Sequence, residues 1–79
     1  MVRRDGAEAR KERIAQIARS IHAALHQSKE VGWIPLSKTV CQIMIDTGLK
    51  RSTVMEYIQL LNDAGHFMLD EKNDKITPV

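Results

Sequence analysis

The fold is decided by residues 47–65, which read Thr47-Gly48-Leu49-Lys50-Arg51-Ser52-Thr53-Val54-Met55-Glu56-Tyr57-Ile58-Gln59-Leu60-Leu61-Asn62-Asp63-Ala64-Gly65. The pattern predicts a tight turn and then an amphipathic helix over residues 50–64. With successive residues placed about 100° apart, one arc collects the apolar side chains Val54, Tyr57, Ile58, Leu61 and Ala64. The opposite arc collects the polar side chains Ser52, Glu56, Gln59 and Asp63. Gly48 and Gly65 suit the positive φ at which helices commonly end.

A second helical pattern precedes this stretch and predicts a long first helix over residues 6–30. Its apolar residues follow the i, i+3, i+4, i+7 spacing and are Ile14, Ile17, Ala18, Ile21, Ala24 and Leu25. Asp5 is expected to cap this helix, and residues 1–5 are expected to be mobile. The basic side chains of Arg10, Lys11 and Arg13 lie before or beside the stripe. They are either a solvated face, a phosphate contact or a contact with a second copy of the chain.

A short strand over residues 33–36 and a second helix over residues 38–47 are predicted next. Pro35 forces Ile34 out of the helical region and cannot donate to a ladder, so the strand should lie at a sheet edge. Ser37 is the expected N-cap of the second helix. The inner arc of that helix contains Val40, Ile43, Met44 and Thr47. Cys41 is expected beside this arc as a small buried apolar group, and Ile45 is expected to be exposed.

The C-terminal residues 66–79 predict a β-hairpin. Two extended runs flank the turn at residues 71–74, and Phe67, Leu69 and Ile76 are expected to point inward. The strand at residues 33–36 can join the hairpin in a three-stranded sheet. The predicted fold class is therefore α+β and mostly α. With 79 residues, the chain has room for a single domain with one core.

The charge balance is only mildly basic, with 12 Lys and Arg against 10 Asp and Glu. Residues 1–20 carry six basic and three acidic side chains, whereas residues 52–79 carry two basic and five acidic ones. This asymmetry argues against phosphate binding by the C-terminal half alone. Cys41 is the only cysteine, which indicates a reducing, cytoplasmic setting. No apolar run approaches the ~18 residues of a membrane span, so no membrane association is expected.

Catalytic and metal-binding patterns are weak in this sequence. It contains no Gly-rich phosphate loop and no arguable Ser/His/Asp arrangement, so we expect no enzyme activity and no cofactor. His22 and His26 are spaced i, i+4 and could share a metal, with Cys41 and His66 as further ligands. Because neither a CxxC nor a HExxH pattern is present, we expect surface histidines and no metal site.

The run from Thr47 to Val54, continued by Tyr57-Ile58, Leu61 and Ala64-Gly65, resembles the helix-turn-helix signature of winged-helix DNA-binding domains. The resemblance covers about residues 12–78, and the chain looks most like the small prokaryotic and archaeal transcription regulators. It implies a three-helix winged helix-turn-helix in which the C-terminal hairpin is the wing. It also implies that the third helix enters the major groove of DNA with its N-terminal half.

The expected DNA contacts follow from this insertion. Lys50, Arg51, Ser52 and Thr53 would contact phosphate at the positive end of the third helix. Ser52, Met55, Glu56 and Gln59 would face base edges: Gln59 would bond adenine, Glu56 would accept from cytosine N4, and Met55 would touch a thymine methyl. Lys38 is also counted among the DNA-binding residues, and Lys72 is expected to contact the DNA backbone at most. Alternatively, Ser52 and Thr53 only cap the helix, and Glu56 is a solvated residue that repels phosphate.

Two functions compete on this sequence. The first is a transcription regulator that binds double-stranded DNA, with a homodimer as a possible state, through the first helix or through Trp33 with Ile45. The second is a winged helix used as a protein-docking module, since that fold serves both tasks. The acidic balance of residues 52–79 and the side chains of Met55, Leu60 and Met68 favour the second.

Overall fold

The structure, a computed structural model, describes residues 6–79. The predicted segment 1–5, with its capping Asp5, lies outside the described residues. In chain order the elements are α1 (Gly6–Gln27), β1 (Ile34–Pro35), α2 (Leu36–Thr47), α3 (Arg51–Asp63), β2 (Phe67–Asp70) and β3 (Lys75–Pro78). The predicted fold class, mostly helical α+β with a C-terminal hairpin, is confirmed, and the order of the elements matches a winged helix-turn-helix layout.

Helix α1 ends at Gln27, three residues before the predicted end. The backbone tightens there, because the Ser28 N–H is shared between the carbonyls of Ala24 and Leu25 at 3.1 and 3.2 Å. The N–H of Gly32 then donates to the Ser28 carbonyl at 2.8 Å and closes a turn. Such closing bonds satisfy the last carbonyls of a helix, and sequence periodicity does not locate them to the residue.

The three strands form one antiparallel sheet in the order β1-β3-β2. Ile76 of β3 lies opposite Ile34 on one side and Leu69 on the other. The predicted pairing of the short strand with the hairpin is therefore confirmed. Strand β1 has only two residues instead of the predicted four, because α2 already begins at Leu36.

The prediction that Ser37 is the N-cap of α2 is wrong. The helix begins at Leu36, and Pro35 occupies the N-cap position without a capping side chain. Asp74 of the hairpin turn caps the amino end of α2 instead. Its carbonyl accepts the Leu36 N–H at 3.0 Å, and its carboxylate accepts the Ser37 N–H at 2.9 Å and the Ser37 hydroxyl at 2.7 Å. A carboxylate is favourable at the positive end of a helix, so the hairpin turn stabilises the start of α2.

The turn between α2 and α3 has the predicted conformation. Gly48 has a φ of +74°, and its N–H donates to the Met44 carbonyl at 2.9 Å. The Thr47 hydroxyl donates to the Ile43 carbonyl at 2.7 Å and accepts the Leu49 N–H at 3.2 Å. These bonds fix the path of the chain from α2 into α3.

The core is apolar throughout the described residues, and no polar or charged side chain is buried in that part of the chain. It draws on all three helices and all three strands. Phe67 and Ile76 are buried and Leu69 packs against the core, as predicted for the inward face of the hairpin. The thirteen buried residues are Ile17, Ala18, Ile21, Leu25, Ile34, Leu36, Val40, Ile43, Val54, Ile58, Leu61, Phe67 and Ile76.

Two expectations about burial are wrong, and one is confirmed. Cys41 is exposed, because it lies on the side of α2 that faces away from the core. Ala64 is exposed because α3 ends at Asp63, so Ala64 is its C-cap and no longer lies on the buried stripe. Ile45 is exposed as predicted, with 76% of its surface accessible.

The Gly48 turn leads to a stability prediction. Replacing Gly48 with alanine should lower the free energy of unfolding by about 1–2 kcal/mol, because a Cβ is strained at positive φ. Nothing lies within 4 Å of that Cβ position, so the cost is conformational and not a clash. Urea unfolding measures the change. The matched control is Gly48→Asn, which should cost less because asparagine tolerates this region; equal losses for the two variants would contradict the described turn.

Candidate nucleic-acid interface

Helix α3 is anchored by one stripe and exposes the opposite one. Val54, Ile58 and Leu61 are buried. Ser52, Glu56 and Gln59 are exposed. The core therefore fixes the rotation of α3 about its axis, and these three polar side chains project away from the domain.

The amino end of α3 is cationic and open. Lys50 occupies the N-cap position in an extended conformation, without a capping side-chain hydrogen bond, and the first turn contains no acidic residue. Lys50, Arg51 and Ser52 are exposed and Thr53 is half-buried. Ser52 and Thr53 lie inside the first turn and not at the N-cap, so the alternative that they only cap the helix is not supported. The positive end of a helix next to two cations is a favourable place for an anion.

The flank of α3 that faces the hairpin differs from the prediction. Met55 is half-buried and packs against the core, because it lies about 100° from Val54, at the edge of the buried stripe. Further along the same flank, the Asn62 side-chain oxygen accepts the Leu69 N–H at 3.1 Å and ties α3 to β2. The predicted contact of Met55 with a thymine methyl is therefore not favoured by its position.

The other flank of α3 borders a groove of about 580 Å³, which we call the α1/α3 groove. Its wall on the α1 side is formed by Arg10, which is exposed. The remaining lining residues belong to α3 and are Thr53, Glu56, Tyr57, Gln59, Leu60 and Asp63. Arg10 thus brings a positive charge to the groove that Glu56 and Asp63 line. The sequence signals Arg10 only as part of a basic run and cannot place it beside α3.

Arg13 has a structural task. Its guanidinium Nη1 donates to the Thr47 carbonyl at 3.0 Å, 34 residues away along the chain. That carbonyl belongs to the last residue of α2, where a cation is favoured by the helix dipole. Of the three basic residues that the sequence singles out in the first helix, Arg13 therefore stabilises α2, Arg10 lines the groove, and Lys11 is exposed.

Lys38 belongs to a different part of the surface. It is exposed on α2 and lines a second groove of about 320 Å³, between α1, β1 and α2. This groove shares no lining residue with the α1/α3 groove. The structure therefore does not bring Lys38 together with the groove residues of α3.

The hairpin turn presents Lys72, which is exposed. Two of the acidic residues around it are engaged in hydrogen bonds. Asp74 caps α2, and the carboxylate of Asp70 accepts the Asn73 side-chain amide at 2.8 Å and the Asn73 N–H at 3.2 Å. The side-chain bond from Asn73, helped by the backbone bond and by nearby Lys75, lowers the pKa of Asp70 below its usual 3.8.

Lys75, the first residue of β3, contacts an aromatic ring. Its ammonium stands 4.7 Å from the centre of the Trp33 ring, in a cation–π contact. Trp33 is half-buried. Lys75 therefore holds the segment before β1 against the sheet.

Among the side chains that the structure describes, those of residues 9–79, no group of three or more His, Cys, Asp and Glu is arranged to hold a metal ion. Over the described residues 6–79 no helix has the length and apolar character needed to cross a bilayer.

The lowered pKa of Asp70 gives a prediction about pH. The ionised carboxylate stabilises the turn above the usual pKa of 3.8, and this contribution is lost as the pH falls through the lower folded-state pKa. The amide shift of Asn73, followed by NMR, should titrate with a midpoint below 3.8. Asp70→Asn should abolish the titration, whereas Glu71→Gln, in the same turn, should leave it intact. A wild-type midpoint at or above the usual value would contradict the described turn.

Comparison with known proteins adds no relative. A scan against protein-family models found no match to this chain, and searches of the curated proteins and of the solved structures found none either. Function is therefore inferred from the structure itself, in particular from α3, the α1/α3 groove and the hairpin.

Proposed function

We propose that this protein is a DNA-binding winged-helix module, and that it regulates transcription by inserting α3 into the major groove. One observation carries the proposal. Helix α3 exposes a continuous polar face behind an open, cationic first turn, while the opposite stripe is buried in the core. A recognition helix needs this arrangement to enter the groove with its N-terminal half.

Phosphate contacts would come from the first turn. Lys50 and Arg51 are both exposed there, and the helix dipole adds to their charge. Such contacts supply affinity and register but do not distinguish sequences. Lys72 would add a contact to the DNA backbone from the hairpin, which serves as the wing. Its acidic surroundings make insertion of the wing into the minor groove unfavourable.

Base contacts would come from the exposed face. Gln59 can bond adenine through its amide, and Glu56 can accept a hydrogen bond from the N4 amino group of cytosine. Glu56 also repels phosphate, so it contributes to discrimination between sequences and lowers affinity for DNA in general. Arg10, across the α1/α3 groove, offsets part of this repulsion.

A dimer would suit a module of this size. Single small modules bury roughly 600–1,000 Å² on DNA and bind weakly, and pairing two half-sites is a common remedy. We propose α1 as the contact between copies, because its side chains from Ala9 to Lys11 are exposed. The exposed thiol of Cys41 fits the reducing cytoplasm in which such a regulator would work.

The test is the salt dependence of binding to duplex DNA. Affinity should fall steeply with salt, and Lys50→Ala and Arg51→Ala should each weaken binding and reduce the logarithmic slope by about one unit. Fluorescence anisotropy on a labelled duplex pool measures both quantities. The matched control is Lys29→Ala, an exposed lysine in the turn after α1, which should change neither. If the Lys50 and Arg51 variants keep the wild-type affinity and slope, α3 does not enter the groove with its first turn.

A protein-docking function is the second candidate, and the exposure of Leu60 and Met68 favours it. These side chains are 52% and 58% exposed, and Leu60 lines the α1/α3 groove. Exposed apolar and methionine side chains suit protein contacts.

Leu60 separates the two functions. If α3 reads DNA, Leu60→Ser should leave DNA affinity and the salt slope unchanged, because the Leu60 side chain has no hydrogen-bonding group and no charge. Anisotropy on the same duplex pool measures this, with Met68→Ser as the matched control. The docking function would instead be supported by a wild-type protein with no salt-dependent DNA binding. Self-association lost in Leu60→Ser but not in Lys50→Ala, followed by sedimentation equilibrium, would also support it.

A further inference from the structure

Two histidines that are distant in the sequence meet on the surface, away from the polar face of α3. Nε2 of His22, on α1, lies 3.3 Å from Nδ1 of His66, which directly precedes β2. The two residues are 44 positions apart, and both side chains are exposed. The centres of their rings are 5.5 Å apart and the ring planes are tilted by 53°. The sequence suggests a pair of His22 with His26, but the fold pairs His22 with His66.

The backbone at both histidines is fixed by buried neighbouring residues and, at His66, by a hydrogen bond. His22 follows the fully buried Ile21 on α1, and the His66 N–H donates to the Leu61 carbonyl at 3.0 Å. The next residue, Phe67, is fully buried, and its ring meets the His22 ring edge-on at 6.2 Å between centres. The approach of the two imidazoles is therefore set by packing, while their exposed tips remain accessible to solvent.

The separation of the two nitrogens matches a chelating pair. Two metal–nitrogen bonds of about 2.0–2.1 Å at a tetrahedral angle place the nitrogens roughly 3.3–3.4 Å apart. The observed separation is 3.3 Å. A right angle at the metal with bonds of the same length would require about 2.9 Å, so the pair suits tetrahedral coordination. In the hydrogen-bonded pair the two nitrogens face each other, so each ring must turn by roughly 35° to direct its nitrogen at one tetrahedral ion. Both side chains are exposed, which leaves room for this rotation about their side-chain bonds.

We propose that His22 and His66 form a binding site for a divalent transition-metal ion that prefers nitrogen ligands in tetrahedral geometry, with zinc and cobalt as the best matches. Imidazole nitrogen is a preferred ligand of such ions, whereas magnesium and calcium prefer oxygen. Water completes the coordination, because the described side chains, those of residues 9–79, contain no cluster of three or more metal ligands.

Metal binding changes the position of one ring proton and leaves both imidazoles uncharged. In the metal-free pair, one ring N–H donates to the free nitrogen of the other ring, so one of the two facing nitrogens carries a proton. Metal binding needs both facing nitrogens free. The proton therefore moves to the outer nitrogen of the same ring, His22 Nδ1 or His66 Nε2, and both imidazoles stay neutral.

Binding at this site joins two distant parts of the domain. The ion would connect α1 to the segment that leads into the wing, across 44 positions of the chain. The unfolded chain does not hold the two imidazoles together, so the ion binds the folded state preferentially and raises the unfolding temperature. Neither histidine belongs to α3, which spans Arg51–Asp63.

The test uses untagged protein in a Cys41→Ser background, which removes the exposed thiol as a competing ligand. Thermal unfolding is followed with zinc chloride or with a chelator, and cobalt chloride provides an absorption spectrum that reports tetrahedral geometry. We expect zinc to raise the unfolding temperature. His22→Gln and His66→Gln should each weaken zinc binding by about tenfold or more, since loss of a ligand exceeds the loss of a supporting residue.

His26→Gln is the matched control, because His26 is exposed one turn further along α1. It should leave zinc binding unchanged. Unfolding temperatures in chelator show whether each variant folds, and all four histidine forms should agree there because the side chains are on the surface. The proposal is overturned if zinc does not raise the unfolding temperature of the parent protein. It is also overturned if His26→Gln abolishes binding while His66→Gln does not, since the ligands would then be His22 and His26.

Discussion

Burial of the apolar stripe of α3 is the constraint on which the candidate interface depends. Val54, Ile58 and Leu61 are enclosed by the rest of the core. Each contributes about 1.5–3 kcal/mol when buried, and the net stability of a small domain is only about 5–15 kcal/mol. Rotating α3 to hide its polar face would expose all three. The packing of the core thus determines which way Glu56 and Gln59 face, and no further contact is needed to orient the candidate interface.

Helix α2 is the support on which α3 is placed, and its two ends are held from elsewhere in the chain. Asp74, 37 residues from Ser37, accepts hydrogen bonds at its amino end. Arg13, 34 residues from Thr47, donates one at its carboxyl end. The negative group lies at the positive pole of the helix and the positive group at the negative pole, which is the favourable order. These two contacts connect α2 to α1 at one end and to the hairpin turn at the other.

Local patterns in the sequence were sufficient for most of the fold. The apolar period of α3, the glycine at position 48 and the alternation in the hairpin are encoded within a few residues of where they act, so they predict the elements and the buried faces. The start of α2 was missed because its cap comes from Asp74, and side-chain contacts over such a separation leave no local signal. The prediction that Cys41 is buried is wrong because it rests on the usual preference of cysteine for the interior. The position of Cys41 on α2 places its side chain on the exposed face of the helix.

In the candidate site, too, locally encoded features could be predicted from the sequence and long-range contacts could not. The exposed positions of α3 follow from its period, so Ser52, Glu56 and Gln59 could be named from the sequence. The placement of residues that only tertiary structure brings together could not be predicted. Arg10 lines the α1/α3 groove beside α3, and His66, which the sequence offers only as a further ligand beside His22 and His26, faces His22 directly. Contacts of this kind join distant parts of the chain, and a single sequence does not reveal them.

The charge order along α3 bears on how such a helix would select its target. Lys50 and Arg51 lead and Glu56 follows a turn later, so attraction to phosphate is concentrated at one end and opposed further along. A net charge of +2 gives little general attraction to DNA. Binding at an arbitrary sequence would therefore be weak, and Glu56 would lower it further wherever no cytosine amino group is available to donate to its carboxylate. Under the proposed function, a helix of this composition would have low affinity for DNA in general and would keep the difference in affinity between its own site and other sites, which is the quantity that a regulator would require.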